Sequence, residues 1–447
     1  MLQALDSLPN SVYWSAPADL DSDFTAEDPL ALDYLGQQVG LWLFPGFTTR
    51  TGRAQNYAMV LYGLHLAGRA CERYGVPASD DARTEFFQRW ERFWALATLE
   101  ANGGPLSRGD SDAMRGVRGA TRAWFEGDRP LPLDFPLISR QSELGSLGAY
   151  LSSLRTYGLV FAGTLRPTPA AKAIIDAFWD EPDENQAVPQ YEDYALAALD
   201  TSKLKIGRKH GRITLRKAGK MSRLSSLTRR QRVKQQDRLW RALFLNAHDD
   251  STLALSHQLI AAADDEALDA EALLEGMEAG RWGALPAALR EKVHAAVVFG
   301  RLAQELLSRF NRAYEHVHSA GWVCGAGDAA RAAFPAEEAA SLAAACGAVL
   351  EAPGSKAFGK LQFHGKPMLR LLAELPGASS TTALDRLLRY HRAVQRSRRG
   401  GGAWLRQQDD KLLLQVTSYN GYKSEAQFPG FKLSVVERLL HDLGRVG

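Results

Sequence analysis

Cysteine is scarce in this chain. There are three in 447 residues, Cys71, Cys324 and Cys346, far apart and without a C-x-x-C pair. That spacing argues against a disulfide framework and against a structural zinc site. Long apolar runs are missing too: none approaches the roughly 20 residues of a membrane-spanning helix, so no membrane partner is expected. Residues 1–30 are acidic and broken by Pro9, Pro17 and Pro29, unlike the basic-then-apolar start of a secretory signal. These absences together point to the cytoplasm.

Catalytic signatures are also lacking. The chain has no G-x-S-x-G, no H-E-x-x-H, no Walker A loop and no G-x-G-x-x-G after a strand. His364-Gly365-Lys366 has a His-x-Lys spacing, but Leu371 and Leu372 stand where a phospholipase D-type nuclease needs its aspartate. Glu315, His316, His318 and Cys324 contain metal-ligating types. Positions two apart, however, do not share a helix face, so His316 and His318 do not converge. No catalytic residue, metal or cofactor is assigned. One acidic cluster stays open as an alternative: Asp180, Glu181, Asp183 and Glu184, then Glu192, Asp193, Asp200 and Lys203. Two or three such carboxylates on adjacent strands with a lysine nearby would suit a metal-dependent nuclease.

What the chain does contain is segregated charge. Its net charge is +3, yet residues 203–241 hold fifteen Lys/Arg and one acid, Asp237, making that segment +14. The other 408 residues hold 39 Lys/Arg against 50 Asp/Glu, a balance of −11. Charges packed this densely repel one another unless counter-ions or a polyanion neutralise them. The cations of this band taken as nucleic-acid contacts are Lys203, Lys205, Arg208, Lys209, Arg212, Arg216, Lys217, Lys220, Arg229, Arg230, Arg232 and Lys234. The competing readings are a solvated loop and a dock for an acidic protein.

A second cationic feature lies at 381–399. Leu384, Leu387, Leu388, His391 and Val394 recur on one helical face, and Arg386, Arg389, Arg392, Arg396 and Arg399 on the other. An arginine stripe backed by leucines suits a helix laid along phosphates, and suits equally a helix paired with acidic neighbours. Arg389, Arg392, Arg396 and Arg399 join the candidate contacts.

The stretch Leu41–Leu64 organises the N-terminal half. Pro45-Gly46 stops one helix, Thr48, Thr49 and Thr51 are candidate N-caps for the next, and Tyr57, Ala58, Leu61 and Leu64 give its buried face. Arg50 and Arg53 beside a helix N-terminus oppose the macrodipole, so an internal acid such as Asp33 or a bound phosphate must offset them. The run LFPGFTTRTGRAQNY, residues 43–57, resembles an element of uncharacterised bacterial proteins of anti-phage defence islands. That resemblance implies a genomic setting among helicases, methylases and nucleases, and supplies no catalytic residue.

Several further elements are legible. Asp28 and Pro29 open a helix, and Phe86, Phe87, Trp90, Phe93 and Trp94 mark another over 84–99. Residues 101–130 read as a Gly- and Arg-rich loop. Pro286 opens a helix of about 33 residues, roughly 50 Å long, in which Gly300 and Ala303 admit a close neighbouring helix. A hairpin turns at Asp409-Asp410, and a capping box, Ser434 with Glu437, opens the last helix. The expected fold is mainly α, with multi-helical N-terminal and C-terminal halves and a small α+β C-terminal module. The divisions are 1–180, helical; 181–245, acidic linker and basic segment; 246–399, helical with the long spine; and 400–447, hairpin plus helix. The expected function is a non-catalytic nucleic-acid-binding subunit, of DNA through its backbone, in a bacterial complex with other protein subunits. A divergent nuclease and a scaffold for an acidic partner are the alternatives.

Overall fold

A computed structural model describes residues 26–106, 114–126, 130–179, 189–221, 233–246, 250–265, 268–361, 363–399 and 402–446. The chain is mainly α-helical, with sheets of two or three short strands and a small α+β region near the C-terminus. Two compact units emerge, each discontinuous in sequence. The first holds 1–43 and 265–431, and the second holds 44–264 and 432–447.

The first unit is built on the helix Ala287–Ser319, 33 residues long with Pro286 as its N-cap. Val293, Ala296, Phe299, Ala303, Phe310, Tyr314 and Val317 are buried along it, as the three-and-four spacing predicts. The helices Leu32–Leu43, Ala270–Ala279, Ala326–Ala333 and Ala339–Glu351 pack against it. Gly300 does permit a close approach, but the neighbour is the ring of Phe428 rather than a helix; a Cβ on Gly300 would lie 2.2 Å from that ring. Asp28 caps the first helix from further back than expected. The helix starts at Leu32, and the Asp28 carboxylate accepts from the N–H groups of Asp33 (3.1 Å) and Tyr34 (3.3 Å). Strands Leu405–Gln408 and Lys411–Leu414 form the hairpin, with Asp409 in the left-handed region at its turn. Val323–Gly325, just beyond the long helix, adds a third antiparallel strand, pairing Val323 with Leu413 and Gly325 with Lys411.

In the second unit the helices Ala54–Arg73 and Asp80–Asn102 pack closely. Trp90 lies against Gly63, where a Cβ would meet its indole at 2.2 Å, and its Nε1–H donates to the Met59 carbonyl at 3.1 Å. Tyr62, Phe178 and Trp179 complete an aromatic cluster around Trp90. The expected loop at 101–130 contains a helix instead, Val117–Glu126; Gly119 presses on the Leu137 carbonyl, and this tertiary approach overrides the poor helix propensity of a Gly-rich stretch. The last helix, Leu433–Asp442, belongs to this unit and packs on Ala54–Arg73 and Asp250–Ala262. The expected capping box does not form: the N-cap is Lys432, at φ 67°, without a side-chain cap, so Ser434 and Glu437 fall two residues out of register. Among the described residues no single helix is long and apolar enough to cross a membrane.

Candidate nucleic-acid interface

The basic band folds. Lys205–Ile206 pairs antiparallel with Leu131–Pro132, and Lys209–His210 pairs with Ile213–Thr214 around Gly211, which takes φ +57°. The alternation of charged and apolar residues over Arg212–Arg216 suits a short strand or hairpin arm; only Ile213–Thr214 is strand, and Leu215 and Arg216 belong to a helix. A helix that the sequence did not signal follows at once, Leu215–Met221, with the Lys217 N–H donating to Thr214 Oγ1 at 3.1 Å.

Apolar side chains alternate with cations through this hairpin and helix. Ile206, Ile213, Leu215 and Ala218 are buried. Gly219 sits so close to the Asp80–Asn102 helix that a Cβ would come within 1.8 Å of the Ala97 carbonyl oxygen. Tyr194 braces the arm, stacking on His210 (5.7 Å between centroids, 8° between planes) and donating to the Gly207 carbonyl at 2.6 Å. Lys203, Lys205, Arg208, Lys209, Arg212, Arg216 and Lys220 are exposed, and Lys217 is half-buried. Two of them have carboxylate partners, Lys203 with Asp200 at 3.5 Å and Arg208 with Glu100 at 3.3 Å. Lys205, Lys209, Arg212, Arg216 and Lys220 have no carboxylate within 4.0 Å among the described residues. Lys234 is exposed on the helix Val233–Trp240 and likewise has none among them. Arg229, Arg230 and Arg232 lie outside the described residues.

The arginine helix spans Ser380–Arg399, in the first unit. Its arginines divide. Arg386 donates to the Glu374 carbonyl, closing the end of the helix Gly365–Glu374, and Arg389 pairs with Asp385 at 2.9 Å. Arg392 is half-buried and Arg396 exposed, and neither has a carboxylate partner among the described residues. The Arg399 side chain lies outside what is described. Behind the stripe, His391 is fully buried. Its Nδ1 lies 2.8 Å from the Pro29 carbonyl, and its Nε2 accepts the Trp404 N–H at 2.9 Å. A carbonyl on one side and an N–H on the other fix a neutral ring protonated at Nδ1. Burial, with a smaller push from Arg392, lowers its pKa to about 4.

The turn at 44–53 has an internal solution. The threonines close the turn on themselves: the Thr48 N–H donates to Thr51 Oγ1 at 2.8 Å, and that hydroxyl donates to the Thr48 carbonyl at 2.9 Å. They do not cap the helix. The cap is Asp442, 1% exposed, whose carboxylate accepts the Ala54 N–H at 3.0 Å and lies 3.3 Å from Arg53 Nε. Burial pushes the Asp442 carboxyl up, while Arg53 and the Ala54 N–H pull it back. Asp442 thus supplies the anion that Arg53 calls for, whereas Arg50 is exposed without a carboxylate partner among the described residues. The same device recurs at Ser146–Thr156. Buried Glu91 accepts the Ser146 N–H at 2.7 Å and a Gln141 Nε2–H at 2.7 Å. Neither distant cap has a local sequence signal.

Of the acidic cluster, 180–184 lies outside the described residues. Glu192 faces His65 (3.9 Å) and Arg69 (3.8 Å), and the neighbouring His65 is the main cause holding its carboxyl below the usual range. Asp193 pairs with Arg73 at 3.1 Å, and Asp200 accepts from the Ser202 N–H and hydroxyl. Among the described residues no group of three or more His, Cys, Asp or Glu is placed to hold a metal ion. No protein-family model, no curated protein and no solved structure matches this chain.

Proposed function

We propose that the protein is a non-catalytic nucleic-acid-binding subunit that grips a phosphate backbone, of DNA in the first instance, through the hairpin and helix at 205–220. One observation carries this reading: five exposed cations, Lys205, Lys209, Arg212, Arg216 and Lys220, stand on a folded, anchored support with no carboxylate partner among the described residues. Phosphates supply the missing counter-charge, and displacing condensed ions from the duplex supplies much of the affinity. The resemblance of residues 43–57 to defence-island proteins supports a bacterial multi-protein complex acting against phage as the setting.

The test is binding of a labelled DNA duplex across a salt series, with single-stranded DNA and RNA of matching length beside it. Affinity should fall linearly on a log–log plot, by roughly 0.9 in slope per phosphate engaged. Absence of binding at about 50 mM salt, where phosphate contacts are strongest, ends the proposal. Retention of an acidic protein in its place would favour a scaffold.

A further inference from the structure

A cavity of about 620 Å³ opens in the second unit, well away in sequence from the basic band. That size falls within the range of small-molecule sites. Its apolar lining includes Leu64, Ile175, Pro167 and Pro169, and its charged lining is Arg69, Arg83, Arg166 and Lys172 with the two acids Glu72 and Asp176. Some of these charges are already balanced. Lys172 pairs with Asp176 at 2.7 Å, and Arg69 lies between Glu72 (3.9 Å) and Glu192 (3.8 Å). Arg83 and Arg166 have no carboxylate partner among the described residues.

The fold positions the backbone of Arg166 and the guanidinium of Arg83. A short antiparallel turn joins Val160 to Pro167, with the Phe161 N–H donating to the Arg166 carbonyl at 3.0 Å. Arg155 braces its tip by donating to the Thr164 carbonyl at 2.7 Å. The turn brings Phe161, a ring 46% exposed, and Arg166 together on the cavity lining. Arg83, also on the lining, lies against the helix Ala54–Arg73 at Gly68; a Cβ there would come within 2.8 Å of Nη1. The glycine leaves the space the guanidinium occupies.

A guanidinium presents a planar fork that matches phosphate oxygens, and an exposed ring stacks on a flat heterocycle. We propose that this cavity binds a nucleoside monophosphate group, with Arg83 and Arg166 on the phosphate and Phe161 against the base. The group has two possible sources, a free mononucleotide or the 5′-phosphorylated end of a nucleic-acid strand. The site does not depend on the hairpin reading, because the two use different residues.

Calorimetric titration of the full chain with adenosine 5′-monophosphate tests this, with adenosine and inorganic phosphate as separate probes. The monophosphate should bind at one site per chain, phosphate more weakly, and adenosine more weakly still. Arg166→Glu should weaken the monophosphate roughly tenfold or more, since the reversed charge faces the phosphate. Gly68→Ala serves as the second variant. Its new methyl displaces only the flexible end of Arg83 and improves helix propensity, so the thermal midpoint should hold while binding falls. Competition with 5′-phosphorylated and 5′-hydroxyl oligonucleotides assigns the source. Displacement by the phosphorylated strand alone identifies a strand end, and no displacement by either identifies a free nucleotide. Equal binding of adenosine and its monophosphate overturns the proposal, as does the absence of monophosphate binding or unchanged binding in both variants. Glutamate at Lys209, Arg212 and Arg216 should leave monophosphate binding intact, so failure of duplex binding and failure of this site are separable.

Discussion

The chain carries two cationic helical regions, and they are cationic for different reasons. In the hairpin and helix at 205–220, five exposed cations lack carboxylates among the described residues, and the neutral side chains between them do the anchoring. In the helix Ser380–Arg399 the same residue type is partly spent on the fold. Arg386 closes a neighbouring helix, Arg389 pairs with its own Asp385, and a buried histidine holds the back of the helix in place. Arginines elsewhere do similar internal work: Arg89 on the Ala198 carbonyl, Arg115 on Leu144, and Arg309 on Ala333, each at the end of a helix. A count of positive charge does not distinguish these uses. The difference lies in whether a guanidinium finds a carbonyl or carboxylate within the fold, or finds none.

The largest expected effect breaks the comparison on the hairpin side. Glutamate at Lys209, Arg212 and Arg216 should cut duplex affinity by roughly a thousandfold, about 4 kcal/mol, and lower the salt slope by about 3. The thermal midpoint should stay close to that of the parent, because these side chains have no carboxylate partner among the described residues. A salt series read alongside a melting curve checks both. If the variant melts early, the cations are structural and the contrast with the arginine helix disappears.

The next effect sharpens the other side. Folded His391 has a pKa near 4 against 6.5 in the open chain. Between those values the unfolded state binds the proton and the folded state does not. Stability is therefore intact above about pH 6.5 and falls as pH drops toward 4. The loss should reach about 2 kcal/mol at pH 5. Chemical denaturation at pH 7 and pH 5 measures it. His391→Gln should be weaker at pH 7 and should lose less on acidification, because glutamine does not titrate. Equal losses would place the acid sensitivity elsewhere.

How much of this was legible in the sequence follows from how local each cause is. The long helix was, because its apolar spacing repeats over 33 residues. The hairpin arm was in part: the alternation over 212–216 suits a short strand, and the strand covers Ile213–Thr214 of it. The helix at 215–221 was not. It forms because Gly219 fits against Ala97, a tertiary match that propensity cannot report. The arginine stripe was visible, but its division into structural and open members depends on Glu374, Asp385 and a carbonyl that only the fold supplies. The need for an anion beside Arg53 is legible, with Asp33 or a phosphate as the expected source, but the partner is neither. That partner, Asp442, lies 388 residues from the N–H it caps, and no local pattern points there.

That cap gives the third effect. Asp442→Ala removes the acceptor of the Ala54 N–H and leaves Arg53 without its partner, so the second unit should lose about 2 kcal/mol. Arg53 is 23% exposed, and water relieves part of that loss. Asp442→Asn keeps an oxygen for the cap and should cost about half as much. Denaturant melts of both variants give the ranking. A smaller loss in the alanine variant than in the asparagine one would remove Asp442 from the role assigned to it. Duplex affinity in native buffer should not change, since neither Asp442 nor Arg53 belongs to the hairpin and helix at 205–220 that carry the proposed grip.

The smallest effect belongs to the arginine helix and decides whether it shares the hairpin's work. Arg392 and Arg396 remain open, with Arg392 half-buried, so at most these two of its described arginines are free to meet a phosphate. Glutamate at both should weaken duplex binding by about tenfold at most and flatten the salt slope by about 1, against about 3 for the hairpin variant. Glutamine at the same two positions separates charge reversal from charge loss. If reversal weakens binding as much as it does on the hairpin, the arginine helix grips phosphates as the hairpin does and their structural difference carries no functional one. If neither variant alters binding while Arg389→Ala shifts the melting midpoint by less than a degree or so, in keeping with the small worth of exposed pairs, the helix is a solvated face and the hairpin alone grips the backbone.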